Sequence, residues 1–587
     1  MLRPTTNQSL KCLSLLGFTL AACGPEPTPT ADLVLTGGSV YSFAWAAPAP
    51  DGSPSAQAPY DPVEGWRPDG SAVAIAGSEI VYVGDDGGAA AFVGEQTRVV
   101  QLDGATVIPG LVDSHTHTAE LGRNLTRVDL VDVETEEEMI RRVVERAAEV
   151  APGEWVLGAG WDEGAWADRY PTWDRLNEAV PDHAVWLRGL HGFAGLGNRR
   201  AFESAGITRD TEPPTGGEIR RSAGGDLTGL LLNRAVTLLD DAVPAPGPTE
   251  AETQILAGLQ AMAASGYVAV HEAGTPTATM QALERLDAAG RLPIRVYALL
   301  SGRDPDQLEE WLERGPLTRE GDADPRLFVR GVKAYYDGSL GVRGARMIEA
   351  YSDLPGHFGV SGEGYGFSRD SIAMMMGAGF QAAIHAIGDA GNRETLDFIE
   401  EVYNATPAAR SARHRIEHAQ IVHPDDFARF VSLEVIASME PPHAVEDMPW
   451  AEDRVGSERI LGAYAWRSFL ENGVQLTFNS DNPGSSHDPF YGLHAAITRR
   501  NTALEPSGGW YPDQAVTPEE AIRAYTSGAA FASFLEERTG RLAPGRWADL
   551  TVMDVDPLRA APEAILAGRI LLTISGGRVV HEAAPGG

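Results

Sequence analysis

The chain has 587 residues, 43% of them hydrophobic, and carries 82 acidic against 47 basic side chains for a formal net charge of -35. That apolar content suits a large packed core and excludes a disordered chain. The acidic excess repels nucleic acid and anionic lipid headgroups.

Residues 1–22 have the layout of a secretory leader. Arg3 and Lys11 give a basic start, and Cys12 through Ala22 form an apolar stretch far too short for a permanent span. It ends in Leu20-Ala21-Ala22-Cys23, which resembles the lipobox of bacterial lipoproteins, where the cysteine becomes the lipidated first residue. The competing reading is a plain secretory signal that contains a cysteine. On the lipobox reading the protein is anchored through Cys23 in the cell envelope, outside the cytoplasm. Gly24 is not the Asp that commonly signals inner-membrane retention, which points to the outer membrane if the source is Gram-negative. Residues 23–31, rich in Pro and Thr, read as a tether. The chain's two cysteines are Cys12 and Cys23, so the mature protein has no disulfide and no thiolate ligand. Any metal must sit on His, Asp, Glu or a modified Lys.

From Asp32 the sequence turns β-rich. Leu33–Leu35 and Val40-Tyr41 flank Gly37-Gly38 as a hairpin, and Ala46–Ser71 reads as an inserted loop. Strands resume at Ala72–Ile75, Ile80–Val83 and Arg98–Leu102, and the C-terminus repeats the style at Leu550–Met553, Ile570–Ile574 and Val579-Val580. Two β-rich ends predict a small sheet domain assembled from residues 32–109 and 540–587. Between them, over residues 110–539, apolar runs alternate with amphipathic helices. Thr135 with Glu138 predicts a capping box, and Thr517-Pro518-Glu519-Glu520 predicts a second helix start. Strand candidates are Trp155–Gly160, Ala184–Leu190, Tyr267–Glu272, Ile294–Leu300, Leu327–Tyr335, Phe380–Ile387, Arg413–Ala419, Val435–Met439 and Val474–Asn479. Alternation on this scale predicts an α/β protein with a parallel sheet, and the length favours a (β/α)8 TIM-type barrel. The candidates outnumber the barrel positions, so one or two belong to insertions. Residues 161–229, rich in Trp, Arg, Pro and Gly, are the expected insertion.

In such a barrel, residues at the C-terminal ends of strands converge on one site. The run Val107–Glu120, VIPGLVDSHTHTAE, ends an apolar strand with His115 and His117, which share a face by strand alternation. Two imidazoles so placed can clamp one divalent cation, Zn above all. Lys333 ends another apolar strand before Tyr335-Tyr336-Asp337-Gly338. Either it is carried into a dry barrel mouth, where CO2 can convert its neutral amine to a carbamate, or it pairs with Asp337. His385 ends a third strand. His414 and His418 fall on a fourth, with the more C-terminal His418 expected nearer the mouth. Asp481 follows the last apolar strand. Singly, each suits a structural role; together they give HxH, Lys, His, His and Asp, each on its own strand.

That order resembles the amidohydrolase superfamily. The stretches PGLVDSHTH, VKAYYDGSLG, HAIGDAGN, RHRIEHAQ, SDNP and GRLAPGRWADLTVMD resemble its amidohydrolase-3 branch, which includes YtcJ-like proteins and N-substituted formamide deformylases. The resemblance covers nearly all of the chain from Asp32 onward. It implies a metal-dependent hydrolase on a (β/α)8 barrel, with a small β-sandwich built from both termini. It further implies that His115 and His117 hold a first metal, that Lys333 is a carboxylated bridge, and that His385 and His418 hold a second. Asp481 would bind the first metal and shuttle the proton. The reaction implied is cleavage of a C–N amide-type bond (N-acyl, N-formyl or cyclic amide) in a small molecule. One or two divalent ions, Zn foremost, would bring the pKa of bound water toward ~7, giving hydroxide at neutral pH.

Two departures stand out. Family members commonly read QPxH where this chain has Glu440-Pro441-Pro442-His443, and a frequent Asp-Gly-His element appears as Leu190-His191-Gly192. Both regions are expected to line the substrate pocket, and His191, Asp337 and His443 are carried as candidate substrate contacts. His271, His357, His423, His487 and His494 are read as structural or surface. The competing functions are a non-catalytic ligand-binding lipoprotein on the same barrel and a metal-dependent esterase or decarboxylase; fold does not decide among them. The expected partners are a small-molecule substrate and a membrane reached through the lipid anchor, with no nucleic acid. A homo-oligomer stays open.

Overall fold

The computed structural model of the chain describes residues 30–584 except 132, 162–169, 190–193, 215–216, 342 and 361. The expected leader, Cys23 and His191 lie outside the described residues. Among the described residues, no helix is long and apolar enough to cross a membrane.

Eight parallel strands form the centre: β1 Leu111–Thr116, β2 Tyr267–Thr275, β3 Arg295–Ser301, β4 Leu327–Tyr335, β5 Gln381–Ala386, β6 Arg415–His418, β7 Ile436–Met439 and β8 Leu476–Phe478. Their order in space equals their order in sequence. Most are nearly continuous apolar runs, as strands covered on both faces must be. Hydrogen-bonded ladders join each strand to the next from β1 to β8, but among the described residues no ladder joins β8 back to β1. Individual bonds close that seam. The Ser114 hydroxyl donates to the Phe478 carbonyl, the Asp481 N–H to the His115 carbonyl and the His117 N–H to the Asn482 carbonyl. Beneath them the buried Asp113 carboxylate accepts the Ser480 hydroxyl at 2.5 Å. The result is a nearly closed TIM-type barrel.

The insertion is larger than its composition suggests. Val156–Trp161, read as a barrel candidate, instead joins Val185–Gly189, which lies in the expected insertion, and Val128–Asp129, Ala194–Gly197, Gly217–Arg221 and Leu227–Asn233 in a separate six-stranded sheet. This lobe has apolar clusters of its own. It opens with three parallel strands separated by the helices Glu136–Ala147 and Trp173–Ala179. Locally it repeats the strand–helix alternation of the barrel, which is why periodicity does not separate the two.

At the chain ends, one sheet contains Leu33–Thr36, Ala72–Ala76, Glu79–Gly84 and Arg98–Gln101. A second contains Ser39–Val40, Thr106–Pro109, Leu550–Met553, Ile570–Ser575 and Arg578–Glu582. Leu33, Leu35, Val73 and Ile75 from the first share one apolar cluster with Val107, Leu550, Val552 and Ile574 from the second. The strand Thr106–Pro109 runs through Gly110 directly into β1. A Cβ at Gly110 would lie 2.4 Å from the Val268 side chain, so only glycine lets the chain pass so close to β2. Within Ala46–Ser71, the expected loop, Tyr60–Asp61 and Gly65–Trp66 form a short hairpin.

Both expected helix starts exist. At Thr517 the capping box is complete. At Thr135 the hydroxyl accepts from the Glu138 N–H, but the Glu138 carboxylate turns to Arg141 and Arg142 instead of back to the cap.

Candidate active site

β1 ends in His115 and Thr116, and His117 follows as the residue that starts the helix Thr118–Leu125. That turn is fixed from β2, where the buried Glu272 carboxylate accepts the Thr118 N–H at 2.7 Å together with the Thr118 hydroxyl. A carboxylate at a helix N-terminus also meets the positive end of the helix dipole. Opposite, Asp481 places its Oδ1 3.2 Å from His117 Nε2 and 3.4 Å from His115 Nε2. Asp481 adopts a left-handed φ of 50°, a conformation that Asp tolerates better than most residues.

Lys333, buried near the end of β4, brings its Nζ within 3.2 Å of His115 Nε2. The expected alternative partner, Asp337, is not its neighbour. Burial pushes the Lys333 ammonium down to about 8, against the opposing pull of Glu417 and Asp481. His385 from β5 meets His418 from β6 edge-on, with ring centroids 4.4 Å apart, and the His418 ring is 5.3 Å from that of His115. His414, the other histidine of that stretch, lies away from the site and accepts the Ala382 N–H at 2.9 Å. The two do not share a face, because the strand is irregular at its end. His418 has φ 72°, a strained left-handed geometry for a bulky residue. It is Arg415 and Glu417 that alternate regularly on the inward side.

These two were not singled out in the sequence, and they organise the layer behind the imidazoles. Glu417 Oε2 is 2.6 Å from His115 Nδ1, and Glu417 Oε1 is 2.5 Å from Arg415 Nε. Arg415 in turn reaches His271 Nδ1 at 2.9 Å and donates to the Ser114 carbonyl at 3.0 Å. Charged residues at alternate positions, Arg415 and Glu417 on either side of Ile416, were the available signal. His418 has a similar backing: its Nδ1 is 3.0 Å from Glu440 Oε2, and His443 Nδ1 is 3.5 Å from the same oxygen. Glu440 is buried, so it stands beside His418 and does not line an open pocket as expected. His443 is partly exposed at the edge of the pair.

Asp337 also corrects an expectation. Fully enclosed, it cannot touch a substrate; its oxygens accept the N–H groups of Ile387, Gly388 and Arg346 at 2.8–2.9 Å. Its Oδ1 lies 3.5 Å from His385 Nε2. Two imidazoles on two strands, His115 and His418, are therefore each backed at Nδ1 by a buried carboxylate. That arrangement orients metal-ligating histidines and fixes their tautomers.

The residues fit a divalent cation. Donor atoms of His115, His117 and Asp481 all lie within 4.8 Å of one another, as do those of His418, Glu440 and His443. His385 Nε2 is buried without a hydrogen-bond partner. The nitrogen and oxygen donor set is the kind that zinc and similar ions take. Burial, then Lys333, lowers His115 to about 4, and burial with His418 holds His385 well below the ordinary imidazole range. Both rings are thus neutral and have a lone pair to offer. Burial alone would raise the Asp481 carboxyl, but the hydrogen bond from His117 and the adjoining imidazoles hold it well below its usual range. Burial alone would lower His443; Glu440 outweighs it and raises the ring to about 9.

A model of the amidohydrolase family matches residues 98–581. The putative amidohydrolase YtcJ of Bacillus subtilis is 29% identical over 495 residues, spanning 83% of this chain and 91% of its own length. The N-substituted formamide deformylase of Arthrobacter pascens is 26% identical over 525 residues, spanning 87% and 95%. Among solved structures, a metal-dependent hydrolase from Pyrococcus furiosus superposes with a TM-score of 0.70 at 27% identity. It covers 90% of this chain and 100% of its own.

Proposed function

This chain belongs to the amidohydrolase family, and we propose that it is a metal-dependent hydrolase cleaving a C–N amide-type bond, N-acyl, N-formyl or cyclic, in a small molecule. The observation that carries this reading is the meeting of Asp481 with His115 and His117 within 4.8 Å, beside the buried Lys333. Similarity to an N-substituted formamide deformylase over most of the chain supports an amide over an ester.

His115, His117 and Asp481 would hold one ion, foremost Zn, and His385 with His418 a second. Lys333, carboxylated by CO2 with release of a proton, would be shared between them. A bound divalent cation supplies a lowered water pKa and polarises the scissile carbonyl. The rest is the work of the chain. Asp481, ionised, turns Oδ1 to the two imidazoles, and its Oδ2 accepts the proton of the attacking water and delivers it to the departing amine. Glu417 and Glu440 hold the imidazoles of His115 and His418 in one orientation, so the site needs little reorganisation when substrate arrives.

The test is metal analysis with turnover on N-acyl, N-formyl and cyclic amide panels, for the parent and for Asp481→Asn. The variant keeps one oxygen ligand but cannot take the proton, and its rate is expected to fall by ~10²–10⁴-fold with metal retained. Parent-rate turnover in Asp481→Asn would move the proton shuttle elsewhere. A metal-loaded parent that hydrolyses nothing on the panels would favour ligand binding. The two terminal sheets are read as one composite β-sandwich of residues 32–109 and 540–587 around a barrel of residues 110–539. Cys23 is read as a lipid anchor in the cell envelope.

A further inference from the structure

Arg303 stands just past the carboxyl end of β3, the end of the barrel from which Lys333 and His385 reach the site. The chain is pinned there, because the Gly302 N–H donates to the Lys333 carbonyl at 2.8 Å. The exposed Arg303 guanidinium lies over the Tyr335 ring, 4.0 Å from its centroid, and 5.3 Å from that of Tyr365. The same Tyr335 ring is 5.0 Å from Lys333 Nζ and 5.7 Å from the His385 ring. One aromatic ring therefore separates this cation from the metal-binding side chains.

Among the described residues the Arg303 side chain has no carboxylate or carbonyl partner. Its neighbour Asp304 gives its carboxylate to the Thr277 hydroxyl and the Gln307 N–H. Arg343 and Arg346, in the segment after β4, are answered by Asp353 and Glu394. In a chain with 82 acidic and 47 basic residues, an arginine at the mouth of the site without an acid is out of keeping with its surroundings. Stacking on Tyr335 orders the guanidinium plane while leaving its N–H edges free to grip a planar anion in two places.

We propose that Arg303, held flat on Tyr335, reads a carboxylate on the substrate. The preferred substrates are then N-acyl amino acids and similar carboxylate-bearing amides, and not their neutral counterparts. This rests on the hydrolase reading above, which it narrows.

The test pairs N-acyl amino acids with the matching N-acyl alkylamines, which differ only in the carboxylate. Turnover by the metal-loaded parent, Arg303→Met and Arg303→Lys is compared, alongside calorimetric binding of an N-acetyl amino acid to metal-loaded Asp481→Asn with and without Arg303→Met. Methionine keeps a chain that can lie on Tyr335 but removes the charge. The carboxylate member is expected to be preferred by the parent. That preference, as the ratio of kcat/KM values, should fall by about ten- to a hundredfold in Arg303→Met, mostly through KM, and by less in Arg303→Lys. Binding in the calorimeter should weaken to the same extent. Equal rates on both members, an unchanged ratio in Arg303→Met, or binding indifferent to Arg303 overturns the proposal while leaving the hydrolase reading standing. Binding that depends on Arg303 without hydrolysis of any amide does the reverse.

Discussion

Replacing Glu417 with Gln tests whether the layer behind the imidazoles governs metal affinity. Glu417 is wholly enclosed and bridges His115 Nδ1 at 2.6 Å to Arg415 Nε at 2.5 Å. Burial pushes its carboxyl up, but Arg415 and His115 pull harder and hold it below the ordinary carboxylate range. The amide keeps the volume and one acceptor for His115, yet leaves the equally buried Arg415 without a counter-charge. Removing one member of a buried ion pair costs about 3–5 kcal/mol. Here the lower end applies, because Arg415 retains His271 and the Ser114 carbonyl. Loss of a carboxylate behind a metal-ligating histidine weakens metal binding about 10–100-fold, or roughly 1.4–2.8 kcal/mol. Urea unfolding of the chelated protein measures the first effect, and competition with a chromophoric chelator measures the second. Parent-like values in both assays would refute the reasoning, because neither the buried charge nor the orientation of His115 would then depend on Glu417.

Other outcomes follow from the same geometry. Lys333→Ala should lose metal and turnover together, with partial recovery on adding short carboxylates; near-parent metal content and rate would remove Lys333 from the site. Cys23→Ser should shift the protein out of the membrane fraction of an expressing bacterium, and a parent protein found free in the periplasm would defeat the anchor reading. His414, which burial lowers to about 4, binds its proton far less readily folded than unfolded, where its pKa is ~6.5. Between those values the unfolded chain holds a proton that the folded chain refuses, so stability present above pH ~6.5 declines as the pH falls, by about 3 kcal/mol in total. His414→Asn keeps an acceptor for the Ala382 N–H and should flatten that part of a urea-midpoint profile; an unaltered slope would exclude His414 as its source.

Strands buried on both sides announce themselves as apolar runs, so the barrel strand at Leu327–Tyr335 was readable from sequence to its ends. The same rule misplaced Val156–Trp161, because the inserted lobe is itself built from parallel strands and helices and its local pattern is the barrel's. The six strand-end residues were readable as chemistry on apolar strands. What stands behind them was not: the His115–Glu417 contact joins residues 302 positions apart, and no spacing rule reaches across a barrel. His418 shows a second limit. Its choice over His414 rested on distance along a regular strand, whereas a left-handed residue at the strand's end sets its direction. Asp337 shows a third, since a carboxylate in a loop after a strand reads equally as a substrate contact or as the acceptor that ties three backbone N–H groups together.

The seam of the barrel connects the site's chemistry to its stability. β1 and β8 lack a ladder, and the bonds between the His115 carbonyl and the Asp481 N–H, and between the Asn482 carbonyl and the His117 N–H, hold them at the mouth. The three candidate ligands of the first ion are His115 and His117 on one side of that seam and Asp481 on the other. An ion held by all three is therefore a cross-link between the two strands that backbone pairing leaves apart. It also answers negative charge: Arg415 neutralises Glu417, whereas the Asp481 Oδ1 lies against the imidazoles of His115 and His117. Binding that favours the folded chain stabilises it by mass action, by about 2.7 kcal/mol at a hundredfold excess over Kd. Chelation should accordingly lower the melting temperature and raise amide hydrogen exchange first at residues 114–118 and 478–484, before the ladders from β2 to β7 respond. If exchange rises evenly round the barrel, or at the inserted lobe before the seam, the ion has no special role in closure and the individual bonds suffice.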